Sequence, residues 1–106
     1  KAIARHEVKC TLEDVVREGT RVLKPGGRFC MVHRPRRLIE IITVMKRHGL
    51  EPKRMKMVHP YADREANMVL IEAVRGGGPL LKMEAPVIVF DQNGEYSREI
   101  RTPYGY

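Results

Sequence analysis

Residues 11–33, TLEDVVREGTRVLKPGGRFCMVH, hold a helix, a stop and a strand in one run. Leu12, Val15, Val16, Gly19, Val22 and Leu23 recur at the three-and-four spacing that gathers side chains on one helical face. Thr11 and Asp14 have the form of a capping box, in which hydroxyl and carboxylate each satisfy a backbone N–H that the first turn leaves without a partner. Pro25, Gly26 and Gly27 end the helix, since proline lacks an N–H and glycine accepts the left-handed cap. RFCMVH at 28–33, apolar and enclosed between the glycine turn and Pro35, predicts a buried strand with Cys30 as a reduced core thiol.

Downstream, Pro35 suits the first turn of a second helix that runs to about Arg47, buries Leu38, Ile39, Ile42 and Met45, and is capped by Gly49. Two strands are expected near 51–59 and 67–74, with Met55, Met57 and Met68 as core filler. Only the short polar stretch from Pro60 to Ala66 joins them. A parallel pair needs a crossover of roughly a dozen residues, so these two strands must be antiparallel. Strands 28–33 and 51–59 are joined through a helix and are expected to form a right-handed parallel unit. The predicted order is helix, strand, helix, strand, antiparallel strand. RGGGP at 75–79 reads as a joint, VIVF at 87–90 as a strand, DQNGE at 91–95 as a turn and 96–106 as a short helix. The chain thus divides into residues 1–75 and an extension, 76–106.

The 106 residues carry a net charge of +7, unevenly spread: 17 Lys and Arg face 9 Asp and Glu in residues 1–75, against 3 and 4 in residues 76–106. Such a basic part fits an anionic partner such as RNA, or simply a solvated basic face. No window of 18 apolar residues and no basic-then-apolar leader occurs, so neither a membrane span nor secretion is indicated and a cytoplasmic protein is expected. Cys10 and Cys30 lack a CxxC spacing and the four histidines lack metal-ligand spacing, so neither a disulfide framework nor a metal site is expected.

The unit LEDVVREGTRVLKPGGRFCMVH, followed by a helix and an antiparallel strand pair, resembles the C-terminal half of the Rossmann-like fold of class I S-adenosylmethionine-dependent methyltransferases. More narrowly, ARHE at 4–7, HRP at 33–35, EANMVLIEA at 65–73 and EYSREI at 95–100 are similar to the bacterial tRNA1(Val) adenine-N6 methyltransferases. The resemblance implies an α/β fold with a short β/α tail, S-adenosylmethionine as cofactor of the intact enzyme, and an RNA adenine as substrate. That family binds the cofactor through a glycine-rich turn after its first strand and holds the target amine with an Asn-Pro-Pro-Tyr motif. Neither is present here, and the chain opens on Lys1 rather than Met, so it is expected to be a distal half that is inactive alone. No catalytic or cofactor-binding residue is assigned. A methyltransferase for a protein or small molecule, or a basic RNA-binding module without chemistry, are the alternatives.

In open α/β sheets ligands sit beyond the carboxyl ends of the parallel strands. Two segments reach that edge, His33 to Arg37 and His59 to Glu65. Arg34, Arg36 and Arg37 crowd a helix N-terminus, where the macrodipole disfavours positive charge, and phosphate contact would account for them. Tyr61 is placed to stack on a base, and Arg64 joins the phosphate-binding candidates. His33 and His59 are candidates for the substrate entrance, as are Arg5, His6 and Glu7 from the ARHE string. Strand 28–33 would lack a neighbour on one side, and its apolar run from Phe29 to Val32 leads to an expectation of self-association.

Overall fold

The computed structural model describes residues 11–97. Helix α1 spans Leu12–Arg21, strand β1 Arg28–His33, helix α2 Leu38–Arg47, β2 Leu50–His59, β3 Met68–Arg75, β4 Lys82–Met83 and β5 Val87–Ile88. Both halves of the capping box form: the Thr11 hydroxyl accepts from the Asp14 N–H at 3.1 Å, and the Asp14 carboxylate accepts from the Thr11 N–H at 3.2 Å. Past the other end of α1, the Arg75 guanidinium donates to the carbonyls of Thr20 and Leu23, and the Thr20 carbonyl also accepts from the Leu23 N–H at 3.0 Å. Pro35–Arg37 form a 3-10 turn before α2 rather than its first α turn. Gly49 ends α2 at φ 82°, as its capping role requires.

The sheet order is β1-β3-β2-β4, with β5 beside β2 beyond β4's short pairing. β3 runs antiparallel to both β1 and β2, so these two are parallel to each other but not adjacent. The expected parallel unit is therefore completed through an inserted, reversed strand. β5 pairs in parallel with β2 over only two residues, Val87 and Ile88, because the chain then turns into a hairpin closed by a bridge between Phe90 and Tyr96.

One sheet face is covered. Phe29 and Met31 of β1, Val69, Ile71 and Ala73 of β3, and Leu50 and Met55 of β2 pack under Val16 of α1 and Ile41, Val44 and Met45 of α2. A bulge in β2 between Pro52 and Arg54 inserts Lys53, so that the inward positions change phase from Leu50 and Pro52 to Met55. Gly19 faces the Phe29 ring so closely that any Cβ there would overlap it. α1 and α2 are further tied by Glu13, whose carboxylate accepts from Arg47 and approaches Nε2 of His48 at 2.5 Å.

Three expectations about the core are corrected. Cys30 is an exposed free thiol, because side chains alternate along a strand and the inward positions of β1 belong to Phe29 and Met31. Met68 is 40% exposed at the start of β3, where the same alternation turns it outward, and Ile39 is 77% exposed on the solvent side of α2. β5 pairs with β2 and not with β1, so among the described residues β1 lies at the sheet edge. Cys10 and the expected helical tail from residue 98 on lie outside the described residues.

Candidate nucleic-acid interface at the carboxyl edge

Because β1, β2 and β5 run in parallel, their carboxyl ends share one edge of the sheet. His33 lies opposite Val69, which lies opposite Met57, so the end of β1 stands level with Met57 while β2 continues to His59. Two strand spacings separate the Arg34–Arg37 segment from β2, about 10 Å. The structure thus brings the two segments singled out in the sequence to one edge. It also brings a third that the sequence alone does not point to, residues 89–97.

Arg34, Arg36 and Arg64 are exposed, and among the described residues none of their guanidinium groups has an ion-pair partner. Arg37 differs. Its Nε and Nη2 donate to the two carboxylate oxygens of Glu40 at 3.0 and 2.7 Å, which holds the Glu40 carboxyl below the usual carboxylate range. Much of the repulsion expected from three arginines at a helix start is relieved by this pair, and only two of the three remain available to an anion.

His33 is partly buried. Burial, and then the charge of Arg37, push its imidazole below the usual range. The Arg34 N–H donates to His33 Nδ1 at 2.8 Å, so the neutral ring carries its proton on Nε2. His59 uses Nδ1 to donate to the Arg64 carbonyl at 2.7 Å, closing the loop 59–64, and the Arg64 N–H donates to the Tyr61 carbonyl at 3.1 Å. Both histidines are thus engaged in shaping the two loops. Arg5, His6 and Glu7 lie outside the described residues.

Tyr61 meets the Phe90 ring with centroids 5.4 Å apart, and Phe90 meets Tyr96 at 5.4 Å with planes only 17° apart. The hairpin carrying the last two rings is docked on the end of β2: the N–H of Val89 donates to the His59 carbonyl and that of Phe90 to the Pro60 carbonyl, at 2.8 and 2.9 Å. Three aromatic positions so far apart in the chain give no local periodicity, and a strand expected over all of 87–90 hides the turn that aims them.

Two glycine-rich turns lie elsewhere. Gly26 and Gly27 precede β1 and Gly76–Gly78 follow β3, which puts both at the opposite edge, where the Gly26 N–H donates to the Arg75 carbonyl. The described residues therefore do not build the glycine-lined cradle beyond a parallel strand that a nucleoside cofactor would occupy. No group of three His, Cys, Asp or Glu among them is arranged to hold a metal ion, and none of their helices is long and apolar enough to cross a membrane.

No family model matches the chain, and no curated protein matches it. Its fold is similar to the crystal structure of a predicted O-methyltransferase from Agrobacterium tumefaciens, with a TM-score of 0.74 and 25% sequence identity. The match covers 85% of this chain and 43% of that one, so the chain spans less than half the length of the protein it resembles. With the reversed strand β3 between parallel β1 and β2, the described residues form a mixed α/β fragment of a methyltransferase-like fold.

Proposed function

We propose that this chain is the distal, RNA-facing half of an S-adenosylmethionine-dependent methyltransferase that acts on an adenine N6 amine in tRNA. The observation that carries the reading is the convergence of Arg34, Arg36, Arg64 and Tyr61 on the carboxyl edge of a methyltransferase-like sheet. Guanidinium groups there, without ion-pair partners among the described residues, bind phosphate oxygens and position the RNA without reading its sequence. The 59–64 loop, closed by His59, holds Tyr61 beside them. Methyl transfer itself is assigned to residues outside this chain. An exocyclic amine needs orientation within reach of the methyl donor more than it needs a strong base, and the target base must leave its stack to be reached.

The test uses the full-length protein that carries this chain, incubated with tritiated S-adenosylmethionine and unmodified tRNA. Labelled N6-methyladenosine after nuclease digestion is the expected product. A second reading, methyl transfer to an oxygen of a small molecule, is favoured by the similarity of the fold to a predicted O-methyltransferase. Label in small hydroxylated acceptors and none in RNA would establish that reading instead.

A further inference from the structure

The geometry points to the hairpin 89–97 as a base-stacking step: the ring of Tyr96, backed by Phe90 and Tyr61, takes an unpaired nucleobase of single-stranded RNA whose phosphates lie on Arg64, Arg34 and Arg36. This deepens the RNA reading above and rests on it. What it adds is a role for Phe90 and Tyr96, to which the sequence alone assigns none.

The hairpin is built to hold its rings. Asp91 accepts at Oδ1 from the N–H groups of Asn93 and Glu95, at 2.9 and 3.0 Å, and its own N–H donates to the Glu95 carbonyl at 2.7 Å. Gly94 takes φ 82°, a conformation that favours glycine and closes the turn. The Ser97 N–H donates to the Val89 carbonyl at 2.7 Å, so both arms are fixed around Phe90 and Tyr96. Aromatic side chains are ordinarily buried, yet Tyr96 is 56% exposed among the described residues while Phe90 and Tyr61 are only partly covered. A stack of flat rings that ends in an exposed one is a surface on which another flat ring gains contact area without rearranging the protein.

The surroundings select the class of ligand. Across the edge from the hairpin lie Arg34 and Arg36, and the loop that carries Tyr61 also carries Arg64, all without ion-pair partners among the described residues. A ligand that satisfies both features has flat aromatic groups spaced along a polyanion, which is the chemistry of a single-stranded nucleic acid. Paired strands fit less well, because their base faces are already covered.

The chain has no tryptophan, so Tyr96→Trp gives a single fluorescent reporter at the proposed step. Titrating that variant with a short oligoadenylate is expected to quench its emission. An abasic oligonucleotide of the same length is expected to bind weakly and quench nothing. In anisotropy titrations with labelled oligoadenylate, Tyr96→Leu, which keeps an apolar contact with Phe90 but removes the aromatic plane, should weaken binding by about 5- to 150-fold, the range for loss of one stacked base. Equal binding of the two oligonucleotides, with unchanged emission and an unchanged Tyr96→Leu affinity, overturns the stacking step and leaves the phosphate contacts standing. Binding of neither oligonucleotide overturns the RNA reading and this inference with it.

Discussion

At Gly19 a helical position is reserved for glycine by its neighbour rather than by its own backbone. A Cβ there would enter the ring of Phe29, which is itself only 6% exposed. Alanine in a helix is worth about 1 kcal/mol over glycine, but overpacking a core costs about 1–3 kcal/mol. Gly19→Ala is therefore expected to lower the urea midpoint of unfolding, and an unchanged or higher midpoint would show that the ring moves aside at no cost. Titration at single residues sets a second expectation. Burial holds His33 below its usual 6.5. Glu13, Asp14, Glu40 and Glu84 are held below the usual carboxylate range, chiefly by hydrogen bonds from His48, the Thr11 N–H, Arg37 and Arg54 respectively. For each of these groups the unfolded chain takes up its proton at the higher pH, so stability falls as the solution is acidified. For His33 the loss begins as pH drops below 6.5, and for the glutamates below 4.5, continuing down through the folded values. Urea midpoints measured from pH 8 to pH 3 should show His33→Gln relieving the first loss and leaving the second. If the two proteins lose stability in parallel throughout, the burial of His33 has no bearing on acid stability.

Among elements, the turn from β1 into α2 separates the arginines that the sequence groups together. Arg34 and Arg36 have no ion-pair partner among the described residues and can meet phosphate, whereas Arg37 is held by Glu40. Reversing Arg34 and Arg36 to Glu in the full-length protein is expected to flatten the salt dependence of tRNA binding by roughly 0.7 to 0.9 in slope for each phosphate that is no longer neutralised. Arg37→Gln should change the slope less than either. Filter binding across a salt series measures both, and equal slopes for all variants would make the cluster a solvated face. The difference between Arg37 and its neighbours is not legible in a run of three basic residues, because it depends on which side chain a 3-10 turn brings to Glu40. Other features are readable for the opposite reason. The start of α1 is set by a capping box four residues long, and the ends of β1 by a glycine turn and a proline, all local chemistry. The reversal of β3 follows from the shortness of its connection to β2. The phase of β1 is not readable: RFCMVH is apolar nearly throughout, so nothing local says that Cys30 rather than Phe29 faces outward. The bulge at Lys53 is hidden likewise, since it arises from pairing with β3, and its ammonium group is held by the carbonyls of Gly78 and Pro79 from a distant turn.

At the scale of the whole molecule, the Gly26–Gly27 and Gly76–Gly78 turns sit on the edge opposite the one that gathers Arg34, Tyr61 and Tyr96. The chain alone is accordingly expected not to bind S-adenosylmethionine, and isothermal titration giving micromolar affinity would contradict this. Among the described residues, the sheet is covered by helices on one face only. α1 and α2 both cover the same side, while Cys30, Val32, Met68 and Leu70 line the other beside a ladder of ion pairs from Arg28 through Glu72 and Arg54 to Glu84. β1 is the outermost strand, and its outer edge has no partner among the described residues. Between Arg28 and His33 it offers no charge and no proline to discourage pairing, and Val32 is 57% exposed. Two copies joined β1 to β1 about a two-fold axis would extend the sheet across the interface with the same residues on both sides. Self-association of this chain is therefore expected, read as a rise in mass with concentration by light scattering. The informative substitution is Val32→Lys. Val32 faces outward, so the charge opposes pairing while surface changes of this kind ordinarily alter stability by no more than about 0.5 kcal/mol. Met31→Lys would mislead, because Met31 is 7% exposed and a charge there would unfold the core it belongs to. A chain that stays monomeric as concentration rises, or an assembly indifferent to Val32→Lys, would show that the β1 edge does not receive a second copy.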